Sequence, residues 1–228
     1  DDFVVTRVKN YARADIDNET LLASQGDGAA FLRAATSEID RAMHSLTRDL
    51  ALDVYRSGSG ARGRISSVSS AVVTLCSVAD IVNFEVGMSV ELTTTEYKSS
   101  ASHSKLTITS VDRNLGTFNV ASGTYTAGNA GAYIHQHGDR SGGPAALLKI
   151  AGLAGWIPAS APTGTWFGVT RSQDASRLSG IRVDGTGQTV EEALIKGAVF
   201  TQREGASPKH AFMNPEHMGD LCKTLSDR

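Results

Sequence analysis

The sequence predicts an α+β protein in which helical segments flank a small antiparallel β module. Apolar residues recur every three or four positions over residues 29–56 and again over 188–203, which is the spacing of a helical stripe. Between these stripes, residues 64–136 contain short β-type runs separated by turn signals. We therefore expect an N-terminal arm with a long helix in 1–63, the β module in 64–136, and a helical segment in 137–228.

The N-terminal segment combines an arm with the long helix. Residues 1–27 mix charged and small side chains with little period, which predicts an arm or loop that lies on another surface. The stripe that follows consists of Phe31, Ala35, Ile39, Met43, Leu46, Leu50 and Val54. The Gly- and Ser-rich residues 57–63 are expected to end the helix as a flexible turn. Arg62 and Arg64 are expected to be solvated linker charges, with contact to phosphate or to a neighbouring subunit as the alternative.

The β module is predicted from its alternating runs. Strands are expected at 72–75, 89–93, 105–109, 117–120 and 132–136, with a weaker sixth candidate at 80–84. Their spacing is typical of a small antiparallel barrel or sandwich. Glycine-rich stretches precede and follow the module, so it is expected to be an insertion whose two ends lie close together.

The segment 138–187 lacks a steady period and is rich in Gly, Ser, Thr and Pro, apart from a possible short helix at 145–151. Such a long irregular stretch is unusual inside a compact domain, and it is consistent with packing partners supplied by neighbouring subunits. Three large aromatic residues lie in it: Trp156, Trp166 and Phe167. They are candidate interface anchors; the alternative is that they seal a loop against their own domain.

The C-terminal segment predicts a helix at 188–203, then a buried strand from Pro208, an Asn-Pro break and a second helix at 216–225. Acidic residues in the first turn of the 188–203 helix suit the helix dipole. Gly197 inside that helix indicates close packing at this point. A core beneath the helix is expected from Leu194, Ala198, Phe212 and Met213.

Composition and charge limit the classes of function. The formal net charge is −2, and no segment forms a basic stripe, which argues against a dedicated nucleic-acid surface but leaves weak, non-specific contact with DNA open. Cys76 and Cys222 are predicted to be small buried hydrophobes. A signal peptide and an apolar run near the roughly 20 residues that span a bilayer are both missing from the sequence. These features predict a soluble protein made in a reducing cytoplasm.

Candidate chemistry is sparse. His135 and His137 are predicted on one face at the end of a strand, with Asp139 two residues later, which is a possible metal site or simply a polar strand edge. His210 and His217 flank the Asn-Pro break without an obvious nucleophile, and the Gly-x-Ser-x-Gly motif is missing from the sequence. We therefore predict no catalytic residues, no cofactor and no enzymatic activity.

The order of these segments resembles that of the major capsid proteins of tailed bacteriophages. The resemblance rests on the arm and 29–56 helix, the β excursion, Gly152-Leu-Ala-Gly-Trp-Ile-Pro158, and the 188–203 helix followed by Lys209-His-Ala-Phe-Met-Asn-Pro215. It implies the capsid fold typified by phage Hong Kong ninety-seven, with 188–203 as its spine helix. The extended β loop would be enlarged by the 64–136 module, and the axial domain expected after 216–225 would be missing or truncated.

The resemblance implies a structural virion protein. Copies of the chain would assemble in the host cytoplasm into pentamers and hexamers of an icosahedral shell around packaged double-stranded DNA. Scaffold, portal or decoration proteins are possible further partners, and Trp156, Trp166 and Phe167 are the interface candidates. Two alternatives stay open: an encapsulin-like compartment shell, and a two-domain protein whose barrel binds a ligand or single-stranded nucleic acid.

The chain begins at Asp1 and ends at Arg228 within a helical pattern, which predicts a longer parent protein.

Overall fold

The computed structural model describes residues 2–16, 18, 22, 28–97, 101–121, 130–144 and 146–226. The chain divides into two compact units. The barrel unit comprises Asp1–Trp156 and Trp166–Val169, and the C-terminal unit comprises Ile157–Thr165 and Thr170–Arg228. Both the predicted N-terminal segment and the predicted β module therefore fall within the barrel unit.

The long helix α1 spans Gly28–Tyr55, within one residue of the predicted bounds. Its contacts with the barrel are largely polar, since the Arg48 guanidinium binds the side chain of Glu85 and the Arg56 guanidinium binds Asp80. The helix ends against Gly152, where a Cβ atom would lie 2.1 Å from the Asp53 carbonyl oxygen. Only a residue without a side chain fits at that point.

The β module is a closed antiparallel barrel. Its strands are β1 (Ala61–Ser69), β2 (Val72–Leu75), β3 (Ser89–Thr93), β4 (His103–Asp112), β5 (Thr117–Val120) and β6 (Tyr133–Gln136). They are hydrogen-bonded in the order β1-β2-β5-β4-β3-β6, and β1 closes the barrel on β6. Ala61 lies opposite His135, so the two ends of the module are adjacent, as predicted.

The barrel core is filled by alternating apolar side chains. The fully buried ones are Ile65, Val73, Phe84, Val90, Leu92, Ile108, Phe118 and Ile134. The rings of Phe84 and Phe118 are stacked with centroids 5.0 Å apart. Each buried side chain of this size contributes about 1.5–3 kcal/mol relative to exposure, so this cluster is a main source of the barrel's stability.

Two predictions for the barrel unit, one for residues 57–63 and one for residues 80–84, differ from the structure. The helix ends before residues 57–63 as predicted and Arg64 is exposed, but 57–63 is not a solvated linker, because β1 begins at Ala61 and both Ser59 and Arg62 are buried. Gly60 makes this possible, since its φ is +82° and a Cβ atom there would lie 2.1 Å from the Asp139 carbonyl oxygen. Residues 80–84 are not a strand, because Val78–Asn83 forms a 3₁₀ helix that places Ile81 in the core.

In chain order, a short helix and a hairpin follow the barrel strands. Helix α2 spans Leu153–Trp156, whereas residues 146–151 of the predicted 145–151 helix are not helical and residue 145 lies outside the described residues. The hairpin pairs β7 (Thr165–Trp166) with β8 (Val169–Thr170).

The C-terminal unit contains α3 (Ala175–Ser179), α4 (Val190–Arg203) and α5 (Pro215–Ser226). Helix α4 begins with a capping box, in which the Thr189 hydroxyl accepts from the Glu192 amide and the Glu192 carboxylate accepts from the Thr189 amide. Helix α5 follows the Asn-Pro break as predicted, and the Asn214 side chain accepts from the Glu216 amide.

The predicted core of the C-terminal unit is not formed. Residues 208–213 are not a strand, Phe212 is 85% exposed and Leu194 is exposed. A Cβ atom at Gly197 would meet nothing within 4 Å, so this glycine does not mark close packing. The physical reason is that the unit, as far as its residues are described, offers neither α4 nor α5 an apolar layer to pack against, and no residue of either helix is buried.

The two cysteines also differ from the prediction, because Cys76 and Cys222 are both exposed free thiols. Within the described ranges, no helix is long and apolar enough to cross a membrane.

Candidate assembly surfaces

The tip of the β7–β8 hairpin presents an aromatic ring from an unusual backbone position. Phe167 and Gly168 have φ values of +45° and +90°, and positive φ at both central residues is what a type I′ hairpin turn requires. A bulky side chain in this region costs about 1–2 kcal/mol. Packing must offset that cost, and the Phe167 ring is stacked on Trp156 with centroids 5.5 Å apart.

The three predicted interface residues lie together and are joined by the N-terminal arm. Phe3 meets Trp156 edge-on at 5.4 Å, and Trp166 contacts both Trp156 and Phe167 at 6.2 and 5.1 Å. The Val4 amide donates to the Phe167 carbonyl oxygen at 2.9 Å. We call Phe3, Trp156, Trp166 and Phe167 the aromatic cluster. Its place within the barrel unit means that these rings hold the arm against their own unit.

Within the aromatic cluster the side chains differ in exposure. Trp166 is only 3% exposed, whereas Phe3, Trp156 and Phe167 are half-buried. The surface open to another molecule is therefore that of the three half-buried rings, and the interface role of Trp156, Trp166 and Phe167 stays a prediction. The sequence interpretation missed Phe3, although an apolar run at 3–5 in an otherwise polar arm is a signal that could have identified it.

The arm carries apolar side chains outward along much of its length. Val4, Val5 and Tyr11 are exposed. A second tether lies at Asn10, whose side-chain amide donates to Asp53 Oδ2 at 3.3 Å. Burial raises the pKa of Asp53, and the nearby charge of Lys149 opposes that rise.

A network of charges around the buried Arg62 fastens the loop after β6 to the barrel and to α1. Arg62 contacts Asp49 at 2.9 Å and Asp139 at 3.9 Å, and Lys149 contacts Asp139 at 2.9 Å. Arg62 also binds the side chain of Gln136. Each described charge in this group has a partner of opposite sign, so the network connects structural elements rather than offering a nucleophile or a free base.

His135 and His137 do not form the possible metal site. His135 is fully buried, and its Nε2 lies 2.9 Å from Thr93 Oγ1. Burial, reinforced by the charge of Arg140, lowers the pKa of His135 to about 4. His137 instead faces Glu91 at 3.5 Å, and Asp139 is engaged by Lys149. Across the described residues, no group of three or more His, Cys, Asp or Glu side chains is placed to hold a metal ion.

A polar cleft of about 440 Å³ lies between α1 and the barrel. Its lining includes Arg48, Asp49, Arg62 and Glu85, and these side chains form ion pairs within the cleft. His44 and Ser45 also line the cleft, but among the described residues no hydrogen bond joins the serine hydroxyl to the histidine ring.

The C-terminal unit exposes a set of apolar side chains that its own helices do not cover. We define the C-terminal apolar face as Leu194, Ile195, Val199, Phe200, Phe212, Met218 and Leu225, all of which are exposed. Single exposed apolar residues are normal on a protein surface, and their concentration on two helices and the segment between them makes this stretch a candidate interaction surface.

Comparison with protein-family models, with curated proteins and with solved structures gives no match. The functional argument therefore rests on the residues and surfaces described above.

Proposed function

We propose that the chain is a shell subunit, a structural virion protein whose copies assemble into an icosahedral capsid around packaged double-stranded DNA. The observation that supports this proposal most directly is the C-terminal unit, in which neither α4 nor α5 buries a single residue. These helices have the sequence pattern of packed elements and contact each other, but that contact buries none of their residues.

Helices in proteins are stabilised mainly by burial of an apolar face, and isolated helices shorter than about 12–15 residues are marginal in water. Helix α4 has 14 residues and α5 has 12. A further contact that buries their apolar side chains would therefore stabilise both helices. Further copies of the same chain are the commonest partners of a soluble protein, and repeated contacts between copies build closed shells.

The barrel fits a structural role better than a ligand-binding one. A platform for single-stranded nucleic acid needs exposed aromatic rings beside basic side chains. Phe84 and Phe118 are instead buried in the barrel interior. The small net charge of −2 adds little repulsion to dense association of copies.

Electron microscopy of the natively purified chain tests the proposal. Closed shells, or isolated pentamer and hexamer rings, are the expected result. Nucleic acid inside the shells separates a virion from an encapsulin-like compartment, which would hold protein cargo. A dispersed monomer or dimer over a wide concentration range would contradict the proposal.

A further inference from the structure

The N-terminal arm lies on the barrel unit without joining its secondary structure. We define the strap as residues 2–16, all of which lie outside helices and strands. Phe3, Val8 and Asn10 are partly buried, and the other side chains of the strap are exposed. A segment that buries so little surface gains little to set against the conformational entropy that ordering it costs.

Two places hold the strap on the barrel unit. At the first, the Phe3 ring and the Val4 amide contact the aromatic cluster. At the second, the Asn10 side-chain amide donates to Asp53 Oδ2 at 3.3 Å. Between these places, residues 5–9 form no hydrogen bond with the rest of the chain as far as it is described. The strap is therefore attached by its side chains at separate points rather than along its backbone.

The surface that receives Phe3 is fixed by contacts of its own. Trp156 donates from Nε1 to the Ala151 carbonyl oxygen at 3.1 Å, and the Phe167 ring stacks on the indole. Gly155 packs so closely that a Cβ atom there would lie 2.8 Å from the Trp166 ring. None of these contacts uses a residue of the strap. The surface therefore keeps its form whether or not the strap is docked.

We infer that the strap docks reversibly on the aromatic cluster of its own chain, with Phe3 as its anchor, while the barrel stays folded. Release uncovers the edge of Trp156 and opens the Phe167 carbonyl oxygen to another donor, so the strap gates the aromatic cluster. One ring contact and one backbone hydrogen bond are few for a separate peptide. They suffice here because the strap belongs to the chain on which it docks, which makes docking intramolecular. The inference does not depend on the proposed shell function.

Hydrogen exchange tests the inference in the whole chain. Amides that open locally exchange more readily than amides that need global unfolding. The Val4 amide reports docking of the strap, and the Ile108 amide, which donates to the Met88 carbonyl oxygen at 2.9 Å, reports opening of the barrel. We expect the Val4 amide to exchange more slowly than in a free peptide of the same sequence, and at least about a hundredfold faster than the Ile108 amide.

Phe3→Ala removes the anchor, and Val5→Ala is the matched control because it shortens a side chain of the strap that is 62% exposed. After correction for intrinsic exchange, Phe3→Ala should speed exchange of the Val4 amide about tenfold, because exchange follows the population of the open form. Exchange of the Ile108 amide should not change, and Val5→Ala should alter neither amide. Acrylamide quenching gives a second reading, since both tryptophans of the chain lie in the aromatic cluster and Phe3→Ala should increase their quenching.

Several outcomes would overturn the inference. Exchange of the Val4 amide at the rate of the Ile108 amide would show that the strap opens only when the barrel does. Exchange as fast as in the free peptide would show that the strap does not dock. Equal exchange in the wild type and Phe3→Ala would remove Phe3 as the anchor. Protection of the Val4 amide that rises with protein concentration would show that the strap docks on another copy instead of its own chain.

Discussion

At the scale of single residues, His135 shows how burial selects one protonation state. Its ring is fully buried on β6, beside Thr93 and under the influence of Arg140. Desolvation is the larger cause and the guanidinium charge the second, and both disfavour the imidazolium form. A histidine held neutral in this way makes the barrel sensitive to mild acid.

The pH dependence of folding follows from that pKa. The folded value is about 4, against an ordinary value of 6.5, so the unfolded chain binds the extra proton between these two pH values. The contribution of the neutral His135 ring to the free energy of unfolding is therefore fully present above pH 6.5. This contribution is lost as the pH falls towards 4, by a total on the order of 3 kcal/mol. The measurement is the urea unfolding free energy of the wild type and of His135→Gln across this range, by far-ultraviolet circular dichroism.

His135→Gln is chosen because the glutamine amide places a nitrogen near the position of the histidine Nε2 and does not titrate. We expect the stability difference between the two proteins to shift against the wild type as the pH falls. Asp53, whose raised pKa acts in the opposite direction, is present in both proteins, so its contribution cancels in the difference. His44→Gln, on the exposed surface of α1, is the matched histidine control. Parallel pH profiles for the wild type and His135→Gln would contradict the prediction.

At the scale of secondary structure, periodicity identified the elements that local sequence determines. The bounds of α1, β2, β3 and β5 agree with the prediction to within one residue, because each has a clear stripe or alternation and a turn beside it. Strand β1 escaped prediction because Gly60, Ala61 and Gly63 resemble a linker in sequence. Its pairing with β6 is a long-range property that a local pattern does not contain.

The candidate surfaces were predicted only in part, for a related reason. The clustering of Trp156, Trp166 and Phe167 depends on a type I′ turn that places Phe167 at positive φ. The sequence does not indicate this turn, because its two central residues are Phe-Gly rather than the usual Asn-Gly or Asp-Gly. The partner of α4 is not encoded nearby either. An apolar stripe such as Leu194 and Ala198 predicts burial, but it does not say whether the burying surface belongs to the same chain.

Alanine substitution of two glycines, one beside a helix end and one within a helix, is predicted to change stability in opposite directions. Gly152→Ala would place a Cβ atom 2.1 Å from the Asp53 carbonyl oxygen and 2.4 Å from that of Val54, both backbone atoms at the end of α1. We expect a loss of at least about 2 kcal/mol, because backbone has to move to admit the methyl group. Hydrogen exchange of the α1 amides measures this loss.

Gly197→Ala is the matched comparison, since its Cβ atom would meet nothing within 4 Å in the middle of α4. Alanine there should stabilise the helix by about 1 kcal/mol and slow exchange of its amides. A Gly152→Ala protein as protected as the wild type would contradict the close approach at the end of α1. Destabilisation by Gly197→Ala would show that α4 has a neighbour at this position.

At the scale of the whole molecule, the chain divides its apolar residues between two uses. The barrel buries its own, including Ile65, Leu92 and Ile134, and needs no partner to do so. The C-terminal unit keeps many of its apolar side chains exposed, and so does α1 at Leu32, Ile39, Met43 and Leu50. A protein arranged in this way is expected to have one region whose stability is independent of assembly and others whose order depends on it.

That division predicts that stability and assembly respond to different substitutions. Phe212 is 85% exposed, so Phe212→Ser removes almost no burial within the chain and should change its unfolding free energy by no more than about 0.5 kcal/mol. If copies bury this ring, its loss costs about 1.5–3 kcal/mol for each contact, which raises the concentration needed for assembly roughly tenfold or more. The control is Lys209→Ser, an exposed polar position in the same segment, which should leave assembly unchanged.

Thermal unfolding and light scattering across a concentration series measure the two effects separately. A Phe212→Ser protein that assembles normally but melts earlier would show that this ring stabilises its own chain, and the C-terminal apolar face would lose its place as an assembly surface.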